Sequence, residues 1–566
     1  MLFPFSIRLS SSFFPPQLLQ VESLLASLGV TSDVSEELLS VFPRPRCDDV
    51  FDSLGSPAED DLFLAWIFIE VSRGWRTFSG LSIGWKDPVP AKPWAPETYV
   101  AIPYQPGCPQ KGCSDMNPAF VCPTKVLEDC LCLNIYTPLH ANGSTPNIPV
   151  LVYLHGGNFV HMSASAELFD GSVLSANGDI IVVTLDYRLG ALGFLVTATS
   201  NTADGAKGNY GILDQRLALK WVKDNIQSFG GDPNKITLSG QSAGAQSTVI
   251  HMMTPESSQY FRSVILESSP FAIPYKTRVE ALYLADLLAD GLSCPRGNLT
   301  CMASKTADEI ATVQHTIRSR PTSVKLLDFF EPLGPFVDGE VVPYQPLEAM
   351  NRGILKDVPI LIGTTSEETR IYIYEAWKKN LTIPMYSAAL LATFGPRNIA
   401  RVLEMYPPVH IKDTREDLQH ASTDFIFSCS TRNFSRTALH LNKNGVFNYV
   451  FDHAFSFDGW GPNFTCCKGH VCHGSDIPYM FQPHIQNITL NADEKVMADA
   501  LGQYWSNFVK SGNPNDGGST SPILKWPGYG NNTNFSALHF STPRNYIVEN
   551  VKQELCDFWD VVGYKA

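Results

Sequence analysis

No apolar run in this chain reaches the ~18 residues that a membrane-spanning helix needs. The longest apolar stretch near the start, Leu62–Ile69, is far too short, and the C-terminal DFWDVVGYKA carries no hydrophobic tail. Positive charge is also scarce: 42 Lys and Arg stand against 56 Asp and Glu, a net charge of −14. Such a balance argues against nucleic acid as a partner. The first residues, MLFPFSIRLSSSFFPPQLLQ, lack the uninterrupted apolar core and small-residue cleavage site of a secretory leader. Internal repeats are absent.

Apolar residues are plentiful, at 44% of 566, enough for a large core. Cysteine is plentiful too, with 13 residues, several at short spacings: Cys108/Cys113/Cys122/Cys130, Cys294/Cys301 and Cys467/Cys472. N-x-[ST] acceptor sequences occur at Asn142, Asn298, Asn380, Asn433, Asn463, Asn487, Asn531 and Asn534. Together they predict a secreted glycoprotein, because disulfides persist and glycans are added on that route.

The texture of the chain changes near Trp85. Residues 1–84 form an atypical N-terminal segment with no recognisable chemistry, in which Val21–Phe42 could be amphipathic helix. Residues 85–566 are expected to be a single α/β domain. Buried strands are expected at Ile148–Leu154, Ile180–Leu185, Ser263–Leu266, Val358–Ile362 and Phe447–Phe451. Asn209–Phe229 predicts a helix with Leu213, Leu217, Trp221 and Ile226 near helical spacing. Strands alternating with helices imply a mostly parallel sheet covered on both faces.

The stretch KITLSGQSAGAQ, Lys235–Gln246, is a short β-branched run, a glycine-bounded Gly240-Gln241-Ser242-Ala243-Gly244, and a helix start. Strand, sharp turn and helix with serine at the apex form a nucleophile elbow. A serine hydroxyl needs a base to take its proton, and the base needs an orienting acid. Two acids, Glu367 and Glu368, follow the expected strand at Val358–Ile362, and spacing alone does not separate them. His473, before a glycine in CHGSDIP, is the candidate base, and His470 is its rival. The glycine pair after Ile148–Leu154, in His155-Gly156-Gly157, offers backbone N–H groups for an oxyanion. Cys466, Cys467, His470, Cys472 and His473 also sit close enough in sequence to seed a zinc site. A small disulfide loop, Cys467–Cys472, is the better reading for a secreted chain.

These residues resemble the type B carboxylesterase and lipase family, which includes cholinesterases and neuroligins. The resemblance is carried by EDCLCLNIY (128–136), HGGNF (155–159), DYRLGALGF (186–194) and the long run Gly208–Ala245. FVDGEVVP, GTTSEE, CHGSDIPYMF, YWSNFVKSGNPN and WPGY follow in family order, so the likeness extends over Trp85–Tyr564. It implies an α/β-hydrolase fold and cleavage of carboxylic esters through an acyl-enzyme, with no cofactor and no metal. By the same resemblance, Ser242 is the nucleophile, Glu368 the acid and His473 the base. The N–H groups of Gly156, Gly157 and Ala243 form the oxyanion hole. The implied disulfides are Cys108–Cys130, Cys294–Cys301 and Cys429–Cys556, with Cys113–Cys122 and Cys467–Cys472 as pairs seen in some members. Cys47, Cys132 and Cys466 are then left over.

Three departures from the family matter. Glutamate usually precedes the serine, and here Gln241 stands there. Gln241, Ser247 and Asp476 are expected to form one hydrogen-bonded group around the catalytic residues. The first disulfide loop, residues 109–129, holds no tryptophan, which speaks against choline esters. The family's N-terminal hairpin is missing, which is expected to leave a sheet edge uncovered. The expected substrate is a small-molecule or lipid ester. A lipase acting on long acyl chains is the alternative within hydrolases, and a non-catalytic neuroligin-like binding protein the alternative outside them.

Overall fold

The computed structural model describes residues 68–72, 75–76, 85–91, 105–141, 147–201, 203–318, 331–441, 445–483, 485, 488–516 and 524–564. The helical expectation for Val21–Phe42, the fate of Cys47, and the acceptor sites at Asn142 and Asn487 lie outside them.

Among the described residues, twelve strands are formed in chain order: β1 (Phe68–Ser72), β2 (Trp75–Arg76), β3 (Val89–Pro90), β4 (Cys132–Tyr136), β5 (Ile148–Leu154), β6 (Ile181–Leu185), β7 (Gly231–Gln241), β8 (Ser263–Glu267), β9 (Ile360–Thr365), β10 (Val446–Phe451), β11 (Ala537–Phe540) and β12 (Tyr546–Val548). Ten of them build one sheet in the order β1-β4-β6-β5-β7-β8-β9-β10-β11-β12, while β2 and β3 pair separately. The central pairings from β6 through β11 are parallel. The outer pairings β1–β4, β4–β6 and β11–β12 are antiparallel. This is the α/β-hydrolase fold.

Every residue of β4, β6, β8 and β9 is buried, as a sheet covered on both faces requires. Alternation decides which side each residue joins. Leu151 and Tyr153 of β5, Ile265, Leu361 and Tyr449 share one core with Tyr504, Trp505 and Phe508 from the helix Ala492–Ser511. Each such buried large side chain contributes roughly 1.5–3 kcal/mol.

Three differences from the sequence reading have physical causes. The sheet edge beyond β4 is not bare: β1, inside the segment expected to be atypical, pairs antiparallel with it over Phe68–Ser72 and Cys132–Tyr136. The helix expected over Asn209–Phe229 is α1, Tyr210–Asn225, closed by a tighter turn at Ile226–Phe229. Its buried face holds Ile212, Asp214, Gln215, Leu219 and Val222, whereas Leu213, Leu217 and Trp221 are only half-buried. The helix is turned this way because Arg188 grips Asp214 through two short contacts, Nε–Oδ2 at 2.8 Å and a terminal nitrogen to Oδ1 at 2.6 Å. A buried charge pair with good geometry cannot be rotated out without leaving a charge uncompensated. Asn433 is half-buried and its Nδ2 donates to Asp560 at 3.1 Å, so this acceptor sequence is engaged internally. Asn298, Asn380, Asn463, Asn531 and Asn534 are exposed.

Candidate active site

The strand β7 ends at Gln241, and α2 (Ala243–Met253) begins one residue after Ser242. Ser242 is held at φ 58°, ψ −123°, a sparsely populated conformation that costs about 1–3 kcal/mol. The glycines of the elbow are needed for close approach. A Cβ on Gly240 would lie 2.3 Å from the Gly244 carbonyl oxygen, and one on Gly244 would lie 2.0 Å from that of Leu154. The Ser242 N–H donates to the Glu267 carbonyl at 2.9 Å, tying the turn to β8.

The loop after β5 comes against the elbow. A Cβ on Gly156 would lie 3.1 Å from Ser242 Cβ. Gly157 sits at φ 95°, where a Cβ would meet the His161 carbonyl oxygen at 2.3 Å. Ala243 is the first residue of α2, where backbone N–H groups have no acceptor within the helix. The loop is fixed from behind by the DYR stretch. Tyr187 stacks on His155 at 4.6 Å and donates its hydroxyl hydrogen bond to the His155 carbonyl at 2.9 Å. Asp186 accepts from Ser163 Oγ at 3.0 Å and from the Ala164 N–H at 2.9 Å. The sequence motif was visible, but its task of holding the glycine loop was not.

The two acids that spacing could not separate go to different histidines. Glu368, fully buried three residues past β9, takes the Thr365 N–H on Oε1 at 2.8 Å and lies 2.5 Å from His473 Nδ1 through Oε2. Glu367 turns away to His470 Nδ1 at 2.9 Å and the Val471 N–H at 2.8 Å, with Arg370 at 3.2 Å. The rival acid and the rival base therefore pair with each other.

Ser242 and His473 line one cleft, yet no hydrogen bond joins Ser242 Oγ to His473 among the described residues. His473 Nε2 instead lies 2.9 Å from Gln241 Nε2. With the Nδ1 proton given to Glu368, Nε2 is an acceptor and the carboxamide donates to it.

Among the described residues, the expected grouping of Gln241, Ser247 and Asp476 is not formed. Ser247 accepts from Gln215 Nε2 at 3.1 Å, in a buried chain that continues to His251. Asp476 accepts from the Tyr449 hydroxyl at 2.8 Å. The reason is local: α2 carries Ser247 behind the elbow, whereas Gln241 ends its strand facing the cleft. Asp476 is fully buried, and burial, reinforced by Glu368, pushes its carboxyl up to about 6. Burial likewise raises Glu267, with Asp476 adding to the effect.

All five disulfides implied by the resemblance are present: Cys108–Cys130, Cys113–Cys122, Cys294–Cys301, Cys429–Cys556 and Cys467–Cys472. Cys467 and Cys472 are thereby removed as zinc thiolates, and Cys466 carries a free thiol. Among the described residues, no helix is long and apolar enough to cross a membrane.

The cleft is a narrow cavity of about 60 Å³. Phe120, Phe169, Tyr372, Phe455 and Trp460 supply aromatic walls, and among the described residues none that lines the cleft carries a carboxylate or a Lys or Arg side chain. Sequence reasoning missed Phe169, Tyr372, Phe455 and Trp460 because they come from loops and helix ends that only the fold brings together.

An elbow serine at the carboxyl edge of a parallel sheet, facing a histidine paired with a buried acid, defines an α/β-hydrolase with the layout of a serine esterase. The model of the carboxylesterase family matches residues 82–559. The crystal protein of Dictyostelium discoideum is 33% identical over 497 residues, covering 85% of each chain. The cAMP-regulated D2 protein of the same organism is 35% identical over 437 residues, covering 76% of this chain and 78% of its own. The solved structure of a PNB esterase is similar with a TM-score of 0.69 at 27% identity, covering 84% of this chain and 92% of its own. The chain belongs to the carboxylesterase family and is a carboxylesterase-type hydrolase.

Proposed function

We propose that the protein cleaves uncharged carboxylic esters bearing an apolar or aromatic group, through an acyl-enzyme on Ser242. The observation that carries this reading is the meeting of the elbow serine and the Glu368–His473 pair in a cleft walled by aromatic side chains and free of charged lining residues. His473 takes the Ser242 proton as Oγ attacks the ester carbonyl, and Glu368 holds the Nδ1 tautomer and stabilises the imidazolium. The N–H groups of Gly156, Gly157 and Ala243 receive the oxyanion, each such donor being worth about 2.7–4 kcal/mol of the barrier. His473 then returns the proton to the departing alcohol, and water repeats the sequence on the acyl-enzyme. The open Ser242–His473 contact is consistent with this, since hydrogen bonds of this kind often tighten only when substrate is bound.

The Cys108–Cys130 loop adds Asn117, Pro118, Phe120 and Val121 to the cleft wall. That placement supports the second reading, a lipase whose lid is this loop. Five disulfides and the exposed acceptor asparagines support passage through the secretory route. Ser242→Ala tests the central claim: it is expected to abolish hydrolysis of a p-nitrophenyl ester while circular dichroism stays that of the parent. Undiminished turnover in that variant overturns the reading.

A further inference from the structure

His473 Nε2 is the atom that must receive the Ser242 proton, and in this structure it is already occupied. The Gln241 carboxamide sits between two bare glycines. A Cβ on Gly156 would lie 2.6 Å from its Oε1, and one on Gly474 would lie 3.6 Å from its Nε2. The amide reaches Nε2 at 2.9 Å. Across the ring, Nδ1 is spoken for by Glu368. Ser242, immediately after Gln241 and 3% exposed, contributes no hydrogen bond to His473 among the described residues.

We propose that Gln241 is a positioning residue that caps the base in the substrate-free enzyme, so that the Ser242 hydroxyl must displace the Gln241 amide from His473 Nε2 before acylation. The proposal rests on the reading of Ser242, His473 and Glu368 given above. A side-chain amide that donates to a lone pair favours the neutral imidazole, because protonation of Nε2 would set donor against donor. The family's usual glutamate does the opposite, since a carboxylate only accepts and so favours the imidazolium. The swap at this position therefore exchanges an acceptor for a donor beside Nε2, and not only the local charge. The other titratable groups facing His473 are Glu368 after β9, Asp476 at the start of the helix Ile477–Phe481, and the Tyr372 phenol, whose ring lies 5.5 Å away. Phe427 closes the remaining side at 5.2 Å. The hydrogen bond at Nε2 comes from Gln241, which places the cap on that residue.

The test compares the parent with Gln241→Met, which keeps the length and removes both donor and acceptor, and with Gln241→Glu. The acidic limb of kcat/KM for a p-nitrophenyl ester is read against pH. In Gln241→Met it is expected to move to higher pH by about half to one unit, the size of one neutral hydrogen bond lost from the unprotonated form. Gln241→Glu is expected to move it further in the same direction. A limb that stays in place or moves to lower pH in Gln241→Met overturns the cap, whatever happens to kcat, since a merely structural role would scale the rate without moving the limb. Should Gln241→Met fail to fold, an unmoved limb in Gln241→Glu overturns it instead. Fluorophosphonate labelling keeps the two readings apart: labelling of parent Ser242 that is lost in Ser242→Ala upholds the triad and leaves the limb to judge Gln241 alone.

Discussion

Glu368 Oε2 lies 2.5 Å from His473 Nδ1, while the adjacent Glu367 lies 2.9 Å from His470 Nδ1. Two consecutive acids thus serve two histidines three residues apart, and only one pair opens onto the cleft. Glu368→Gln preserves the shape of the acid but no longer fixes the imidazole in the productive tautomer. Its kcat on a p-nitrophenyl ester is expected to fall by about 10⁴-fold, the scale seen when a triad acid becomes an amide. Glu367→Gln is expected to stay within about tenfold of the parent and to register mainly in thermal stability, because it breaks a largely buried ion pair with Arg370 away from the cleft. Equal losses from the two substitutions would show that the pairing does not select the acid.

The elbow, the glycine pair and the acid-then-histidine order were legible in the sequence because each depends on local backbone chemistry. Glycines at Gly240 and Gly244 are demanded by contacts of 2.3 Å and 2.0 Å, and such demands leave a mark in the sequence. Choosing between Glu367 and Glu368 required the family pattern, because both acids follow the same strand and their directions are set by loops from Val471 and Thr365. What stayed hidden was contact at long range. The burial of Asp214 in α1 depends on Arg188, and no periodicity argument reads a buried ion pair. The bond between Gln241 and His473 spans 232 residues of chain and is made possible by two glycines that belong to other loops. The strand β1 escaped because it lies in the segment expected to be atypical, and its edge partner β4 enters the sequence reading only as part of a family motif and not as a strand.

Gly157 offers the sharpest test of the anion-binding loop. At φ 95°, with a Cβ position 2.3 Å from the His161 carbonyl oxygen, alanine forces the backbone to move. Gly157→Ala is expected to lower kcat by about 10²–10³-fold through misplacement of a single oxyanion donor. KM should change far less, because the donor acts on the tetrahedral intermediate more than on the ground-state carbonyl. A pure KM effect in steady-state kinetics would remove Gly157 from the oxyanion hole.

The charge-free cleft makes a claim about selectivity. A quaternary ammonium gains from aromatic walls and acidic neighbours, and here the acidic part is absent among the lining residues. Butyrylcholine and its uncharged isostere, 3,3-dimethylbutyl butyrate, differ only in that charge. The neutral ester is expected to be cleaved with a kcat/KM at least equal to that of the choline ester. A preference for the cation of more than about tenfold, or ~1.4 kcal/mol, would mean that an unrecognised anionic group faces the substrate. Extending the acyl chain of p-nitrophenyl esters from two to sixteen carbons separates esterase from lipase. A steady fall beyond medium chains supports the esterase reading, and a rise at an oil–water interface supports the lid.

Glu494 links the fold to pH. It is the third residue of the helix Ala492–Ser511, and its carboxylate closes the cap by accepting the Asn491 N–H at 2.9 Å. The same group accepts from Ser456, from the Tyr479 hydroxyl at 2.8 Å and from His453 Nε2 at 2.9 Å. Burial alone would raise this carboxyl, but the hydrogen bonds from His453, Ser456 and the backbone outweigh it and bring it down to about 2. A folded-state value below the unfolded one contributes stability that is fully present above the unfolded value near 4.5 and is lost as pH falls toward 2. Glu494→Gln keeps the shape and gives up the charge-assisted bonds, so at pH 7 it is expected to cost about 2 kcal/mol, a few degrees in Tm. The gap in Tm between parent and variant should close as pH is lowered from about 5 to about 3, because the parent is losing what the variant never had. Calorimetry across that range checks the sign: a gap that widens toward acid would mean that Glu494 is held protonated in the fold, and that the network around it is built on a neutral acid.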